Sequence, residues 1–226
     1  MTTLYSFPSF EPTRFLAYPS AHLFLPLRRD ILHRAVIYEG DNTRQGTAST
    51  KYRTEVHGSN RKIRPQKGSG KARLGDKKSP MLRGGGVAFG PKPRDFGTDL
   101  PRKVYDLAWR TALSYRYRRG QLIIVEGAAD IEDADASLIR EVFAWNRWGK
   151  EHGRSLVVTH DKRENLFAAL DQAGEQGKAL DKDDVDVKDL LKMGRVIIER
   201  KALDWILSEH QSDLIKSQNL VGHTKH

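Results

Sequence analysis

The residues with the clearest chemical character lie between Arg61 and Arg73, in the order Arg-Lys-Ile-Arg-Pro-Gln-Lys-Gly-Ser-Gly-Lys-Ala-Arg. Lysine and arginine supply positive charge, and the planar guanidinium group of arginine pairs with phosphate oxygens or stacks on a base. Glycine has no Cβ atom, so the backbone can approach a ligand closely and offer its amides to phosphate. This chemistry is typical of the binding of a polyanion, and the small side chains would let the segment thread a narrow crevice.

A second glycine cluster runs from Arg83 to Phe96 and contains two aromatic rings, Phe89 and Phe96. Such a segment could lie against RNA with its rings stacked on unpaired bases. The alternative is that both rings pack onto a globular domain, and the sequence favours the two interpretations equally.

The positive charge of the chain is concentrated around these two motifs. The 226 residues include 39 Lys and Arg and 29 Asp and Glu, a net charge of +10. From Arg44 to Lys103 there are 16 basic and four acidic residues, a net charge of +12, so the other 166 residues carry −2. This segment also holds ten of the 19 glycines and shows no hydrophobic periodicity. Because it has too few apolar residues to order itself, we expect RNA to order it.

The predicted interface is therefore one long loop. The predicted RNA-binding cations are Arg44, Lys51, Arg53, Arg61, Lys62, Arg64, Lys67, Lys71, Arg73, Lys77, Lys78, Arg83, Lys92 and Arg94. The positions at which the backbone is predicted to approach RNA closely are Gly68, Gly70, Gly84, Gly85, Gly86 and Gly90.

Motifs for other kinds of site fail at single positions. A P-loop ending at Gly70-Lys71 would need Ser or Thr at Ala72, and a dinucleotide fingerprint from Gly84 would need glycine at Phe89. The acidic run Asp181–Asp186 lacks the glycine and glutamate of a calcium loop, so we interpret it as a solvated turn. With no cysteine and no paired histidine ligands, the sequence predicts no catalytic residue, metal, cofactor or small-molecule substrate.

Two other functions are weighed against RNA binding by a structural protein. An RNA-modifying enzyme with a Rossmann-like cofactor domain would need a glycine fingerprint after a strand, which is missing; His160, at a predicted strand end, favours a structural or surface role. Peripheral membrane binding would need an amphipathic helix in the basic segment, and the sequence contains no run of about 18 apolar residues that could span a membrane. Trp109, Trp145, Trp148 and Trp205 are interpreted as packing residues on helices.

The elements that must position the loop alternate between helix and strand. Helical spacing is predicted from Asp30 and from Pro101, on either side of the basic segment. Further along, strands are predicted at Leu122–Val125, Leu156–Val158, Val185–Val187 and Val196–Ile198, with helices between and after them. This alternation predicts an α/β fold, a three-layer α/β/α domain with a mainly parallel four-stranded sheet, from which the long basic loop extends.

The predicted domain boundaries follow from these elements. Residues 1–29 are predicted to be an extended arm rather than a targeting signal, because four prolines prevent an amphipathic helix. Residues 30–44 and 101–215 form one globular domain, residues 45–100 are the inserted loop, and residues 216–226 are a C-terminal tail.

Three runs of the loop, Gln45–Lys51, Arg64–Arg73 and Arg83–Asp95, resemble the universal large-subunit ribosomal protein four family. The likeness extends from about Asp30 through the last helix, and Arg64-Pro65 and Asp106–Arg118 are most similar to fungal mitochondrial members. The resemblance implies a non-enzymatic constituent of the large subunit of the mitochondrial ribosome, in the matrix, that supports subunit assembly and translation. Its implied partners are large-subunit rRNA and neighbouring large-subunit proteins.

The same resemblance implies a role for the tip of the loop. In that family the tip helps to form the constriction of the nascent-peptide exit tunnel, so the nascent polypeptide is a further implied partner. Carried over to this chain, the tip is Arg64–Arg73, and the candidates for the tunnel wall are Arg64, Gln66, Lys67 and Gly68. Bacterial members have Trp-Arg where this chain has Arg64-Pro65, so a guanidinium group replaces an indole there.

Overall fold

The computed structural model describes residues 1–214. The strands are β1 (Thr2–Tyr5), β2 (Pro12–Leu16), β3 (Leu122–Val125), β4 (Ser155–Thr159), β5 (Gly177–Asp181) and β6 (Arg195–Glu199). The helices are α1 (Ser20–Leu23), α2 (Arg29–Asn42), α3 (Arg102–Arg118), α4 (Ala136–Trp145), α5 (Glu164–Ala173), α6 (Val187–Lys192) and α7 (Arg200–Glu209). None of the helices in the described residues is long and apolar enough to cross a membrane.

The strands form one sheet in the order β2-β1-β3-β6-β4-β5, and only β2 is antiparallel to its neighbour. Successive side chains of a strand point to opposite faces, so the sheet supports a core on each side. Leu156 and Val158 of β4 pack with α2, α3, α6 and α7, whereas Val157 packs with α4 and α5. The predicted three-layer α/β/α domain with a mainly parallel sheet is confirmed.

The sheet has six strands rather than the four predicted, and two of them come from the predicted N-terminal arm. β1 pairs in parallel with β3, placing Leu4 beside Ile124, and Leu4 is completely buried. Pro12 is the first residue of β2, which lies at the edge of the sheet. Proline has no N–H group to donate, and an edge strand tolerates this because one of its sides has no neighbouring strand. The prolines prevent a long helix here, but they do not exclude a short edge strand.

The predicted strand at Val185–Val187 is also wrong. Both valines are buried in the core, but Val187 is the first residue of α6. The strand lies earlier, at β5, whose edge position buries only Leu180. A strand with a single buried side chain has no alternation for sequence inspection to detect.

Three of the four tryptophans pack as predicted, although Trp148 lies after α4 rather than on a helix, and one does not. Trp109 is buried, and Trp148 and Trp205 pack against the two cores. Trp145, the last residue of α4, is 87% exposed, because this position faces away from the sheet.

The helices that flank the basic loop are held by a buried carboxylate. Glu39 of α2 accepts a hydrogen bond from the Tyr105 hydroxyl of α3 at 2.8 Å. It also accepts from the amides of Val187 and Lys188, at 2.9 and 2.8 Å, at the start of α6. Burial raises the pKa of Glu39. The two helices that precede and follow the loop in the chain are therefore held next to each other.

Candidate nucleic-acid interface

The basic segment forms a compact unit of its own, residues 41–98, separate from the unit that contains the sheet. Its described residues between α2 and α3 contain no helix or strand, as the absence of periodicity predicts. Its base is nevertheless paired. The amides of Arg94, Thr50 and Val87 donate to the carbonyls of Gly46, Pro91 and Lys51, at 3.1, 3.0 and 2.9 Å. We call residues 46–55 and 76–94 the stem.

The glycines of the stem allow its two limbs to approach each other. A Cβ atom on Gly86 would lie 2.3 Å from the amide nitrogen of Arg53, and one on Gly90 would lie 2.0 Å from Oγ1 of Thr50. The Gly86 amide already donates to the Lys78 carbonyl at 3.0 Å, and the Gly85 amide to Leu82 at 3.0 Å. The close approach made by Gly85, Gly86 and Gly90 is therefore to this chain itself.

Two ion pairs stabilise the stem further. Arg53 Nη2 lies 2.7 Å from Oδ2 of the buried Asp76. Lys92 Nζ donates to Glu55 at 2.7 Å and lies 4.4 Å from the centre of the Tyr52 ring. The hydrogen bond from Lys92 lowers the pKa of the Glu55 carboxyl group. Arg53 and Lys92, both predicted to bind RNA, thus also hold the stem together.

The Phe96 ring packs against two arginines where the stem meets the ends of the loop. The guanidinium carbons of Arg44 and Arg94 lie 3.7 and 4.3 Å from its centroid. Phe96 is half-buried by these contacts, whereas Phe89 is fully exposed with a positive φ of 54°. Neither ring belongs to the two hydrophobic cores of the sheet. Phe96 therefore packs against cations of the loop itself.

We call residues 61–73, which contain the run Arg64–Arg73, the tip, and the Ile63 amide within it donates to the Gly75 carbonyl at 3.0 Å. Between Arg61 and Arg73 there are six cations and no acid. All residues of this stretch are exposed except Arg64, which is half-buried. Gly68 and Gly70 have positive φ angles of 82° and 64° with open space around them. Lys62 contacts the Gln66 side chain, which is neutral.

The fourteen predicted cations fall into two groups. Arg44, Arg53 and Lys92 form ion pairs within the loop, with Asp41, Asp76 and Glu55. The other eleven form no ion pair with any carboxylate in residues 1–214, and only Arg64, Lys78 and Lys92 of the fourteen are even partly buried. Sequence inspection could not assign Arg53 and Lys92 to the paired group, because their acids lie 23 and 37 residues away in the chain.

The expectation that only RNA could order this segment is corrected by the stem. Backbone hydrogen bonds and ion pairs within the chain account for its base. The physical reason is that three of the few local acids are placed opposite cations, so repulsion is offset there. The tip has no such compensation.

Comparison with known proteins agrees with this geometry. Residues 18–209 match the model of the ribosomal protein L4/L1 family, and this range contains the whole loop and most of the sheet. The chain belongs to the ribosomal protein L4/L1 family.

Relatives in the family include a large ribosomal subunit protein uL4m of Neurospora crassa, 53% identical over 97% of this chain and 74% of that protein. The large ribosomal subunit protein uL4 of Trichormus variabilis is 42% identical over 78% of this chain and 82% of its own length. The uL4 protein of Treponema denticola is 52% identical over 45% of this chain and 48% of its own. Membership of this family implies a structural role in the ribosome.

The edge of the sheet where a cofactor would bind in a parallel α/β fold is occupied by protein. The carboxylate of Glu199, at the end of β6, is almost fully buried. It accepts hydrogen bonds from the amides of Ala129 and His160, both at 2.8 Å, which follow β3 and β4. His160 thus helps to close this edge through its backbone, and the geometry does not favour the RNA-modifying alternative.

Proposed function

We propose that this protein is a structural component of the large subunit of the mitochondrial ribosome that binds large-subunit rRNA through residues 41–98. The observation that carries the proposal is the set of eleven exposed or partly exposed loop cations without carboxylate partners in residues 1–214. A protein domain gains nothing in stability from such a concentration of like charge, since the cations repel one another. Phosphate groups would remove that repulsion.

The stem and the tip contribute to rRNA binding in different ways. The stem uses its own hydrogen bonds and ion pairs to hold a fixed shape, so it loses little conformational entropy when RNA binds. The tip presents six cations and two glycines to its surroundings. We propose that the tip enters a crevice where rRNA segments converge and neutralises their phosphates.

The tunnel role belongs to the same tip. Gln66, Lys67 and Gly68 are exposed and lie midway between the ends of the tip, with Arg64 partly covered beside them. If the tip is surrounded by rRNA, these residues are the ones placed to reach a peptide path. We propose that they line part of the exit tunnel and contact the nascent polypeptide.

The mitochondrial location rests on the uL4m relative of Neurospora crassa, whose similarity covers nearly the whole chain. Neighbouring large-subunit proteins are proposed as partners on the same basis. In this setting the protein supports subunit assembly and translation and has no small-molecule substrate.

The salt dependence of rRNA binding tests the central part of the proposal. A tip variant with Arg61, Lys62, Lys67, Lys71 and Arg73 changed to Gln is compared with the original chain on a large-subunit rRNA transcript. If these five cations meet phosphates, the slope of log affinity against log salt should become shallower by about 4. A control variant with Lys162 and Lys201 changed to Gln neutralises exposed lysines outside the basic segment. Equal slopes for the tip variant and the original chain would overturn the proposal.

A further inference from the structure

The net charge of −2 outside the basic segment conceals a separation of charge between the two ends of the parallel strands. The segments that precede the strands or end the helices leading into them are residues 116–121, 145–155, 173–177 and 191–195. They contain eight Lys and Arg and two acids. The segments that follow the strands, residues 125–136, 159–164, 181–187 and 199–201, contain five Lys and Arg and twelve acids. We call the first set the amino edge.

One of the amino-edge cations serves the fold. Arg116 is buried and donates to the carbonyls of Leu190, Leu191 and Gly194, at 2.7, 2.9 and 3.1 Å, and also to that of Met193. The exposed ones are Arg118, Arg119, Arg147, Lys150, Arg154 and Lys192. Among them, Lys150 and Arg154 share one acid, Glu175. Positive charge is therefore in excess on the surface of this edge.

Three of these cations border one cleft. Arg119, Arg154 and Lys192 line a cleft of about 470 Å³ together with Tyr115, over whose ring the Arg119 guanidinium carbon lies at 5.1 Å. Its wall includes Gly153 and Gly194, which approach so closely that a Cβ atom on Gly153 would lie 3.3 Å from the Gly194 Cα. The two glycines project no side chain into the cleft, and its three cations are exposed, so a narrow, negatively charged backbone would fit it.

An exposed indole lies on the same edge. α4 ends at Trp145, and the chain then turns at Arg147, whose φ is 55°. The turn directs Trp148 inward, 4.6 Å from the Phe10 ring, and the Arg147 carbonyl accepts from Arg195 at 2.8 Å. Trp145 is left 87% exposed, two residues before the exposed Arg147. An exposed aromatic ring on an edge that is rich in cations suits an unpaired base attached to phosphates.

We propose that the amino edge is a second RNA-binding surface, at which Arg119, Arg154 and Lys192 contact the phosphates of an unpaired rRNA segment and Trp145 stacks on one of its bases. This inference rests on the proposed function and extends it from the loop to the sheet-containing unit. An acidic protein segment is the other partner that these cations would suit, and the test below distinguishes it from RNA.

The test uses the full-length chain and a large-subunit rRNA transcript. An edge variant carries Arg119→Gln, Arg154→Gln and Lys192→Gln, and a second variant carries Trp145→Ala; the Lys162 and Lys201 double variant is the control. We expect the edge variant to bind at least about tenfold more weakly near physiological salt, with a slope shallower by about 2 to 3. Trp145→Ala should weaken binding by about fivefold or more through lost stacking. The control should change affinity by less than about twofold.

The possible outcomes separate this inference from the proposed function. If the edge and Trp145 variants bind like the control while the tip variant binds weakly, the inference is overturned and the proposed function stands. If the edge variant binds rRNA normally but no longer binds a neighbouring large-subunit protein, the edge is a protein-binding surface and the inference is likewise wrong. If the original chain shows no salt-dependent rRNA binding, the proposed function fails first. Unchanged circular dichroism of each variant verifies its fold.

Discussion

The two units of the molecule treat charge in opposite ways. In the sheet-containing unit, buried charged groups are hydrogen-bonded: Arg110 to the Ala21 carbonyl and Asp213, Glu39 to three donors, and Glu199 to two amides. In residues 41–98, eleven of the fourteen predicted cations have no carboxylate partner within residues 1–214. The difference distinguishes the charged groups that stabilise the fold from the cations that are available to bind RNA. A substitution in the first unit should alter stability, and one in the second should alter binding.

The largest contrast is expected between Arg116→Met and Arg73→Met. Arg116→Met leaves several buried carbonyls at the end of α6 without a donor, so the free energy of unfolding should fall by about 3 kcal/mol or more. Arg73 is exposed at the tip, so its replacement should leave the unfolding free energy within about 0.5 kcal/mol and weaken rRNA binding. Urea denaturation measures the first quantity. Similar losses of unfolding free energy in both variants would contradict this division between charges that stabilise the fold and charges that bind RNA.

A second contrast compares two carboxylates. Glu39→Ala removes the acceptor of three hydrogen bonds in a buried position, and we expect a loss of about 2 to 3 kcal/mol in unfolding free energy. Glu55→Ala removes the exposed partner of Lys92, and we expect a change below about 1 kcal/mol. A destabilisation by Glu55→Ala as large as that by Glu39→Ala would show that the loop shares in the stability of the core.

A third substitution tests the stem alone. Gly86→Ala would place a Cβ atom against the backbone of Arg53, so the stem should open while the sheet-containing unit keeps its unfolding free energy. Limited proteolysis should then cut residues 41–98 several-fold faster than in the original chain. Gly75→Ala is the matched control, since a Cβ atom at this position would meet no other atom within 4 Å. Equal cleavage rates for both variants would count against a self-supporting stem.

The smallest effect concerns pH. Burial lowers the pKa of both His22 and His210, whereas histidine in an unfolded chain titrates near pH 6.5. The unfolded state therefore binds more protons between the two pKa values, and stability that is complete above about pH 6.5 is lost as pH falls through the folded pKa. We expect the unfolding free energy to decline by about 1 kcal/mol or less between about pH 7 and pH 5.5.

His22→Gln with His210→Gln should flatten this pH dependence, and His33→Gln, at an exposed position of α2, should not. Burial raises the pKa of Glu39, which acts in the opposite sense, so the measurement is repeated with Glu39→Gln. If the unfolding free energy of the double histidine variant declines as in the original chain, the pH dependence does not come from His22 and His210.

Sequence inspection finds the features that depend on composition and misses those that depend on distant partners. The basic loop, the flanking helices and three parallel strands follow from charge counts and apolar spacing. Sequence inspection does not find β1 and β5, because each strand buries only one or two side chains and is stabilised by pairing with a neighbouring strand. The structural use of Arg53 and Lys92 depends on Asp76 and Glu55, 23 and 37 residues away. The exposure of Trp145 depends on where α4 ends against the sheet.

The most direct test of the central claim replaces residues 61–73 with a short Gly-Ser linker and follows large-subunit assembly by sedimentation of a mitochondrial lysate. The stem and the sheet-containing unit do not depend on the tip for their hydrogen bonds, so the variant should fold with unchanged stability. Because the tip carries the uncompensated cations, we predict that complete large subunits containing the variant do not accumulate. Normal sedimentation of large subunits that contain the variant would contradict the claim.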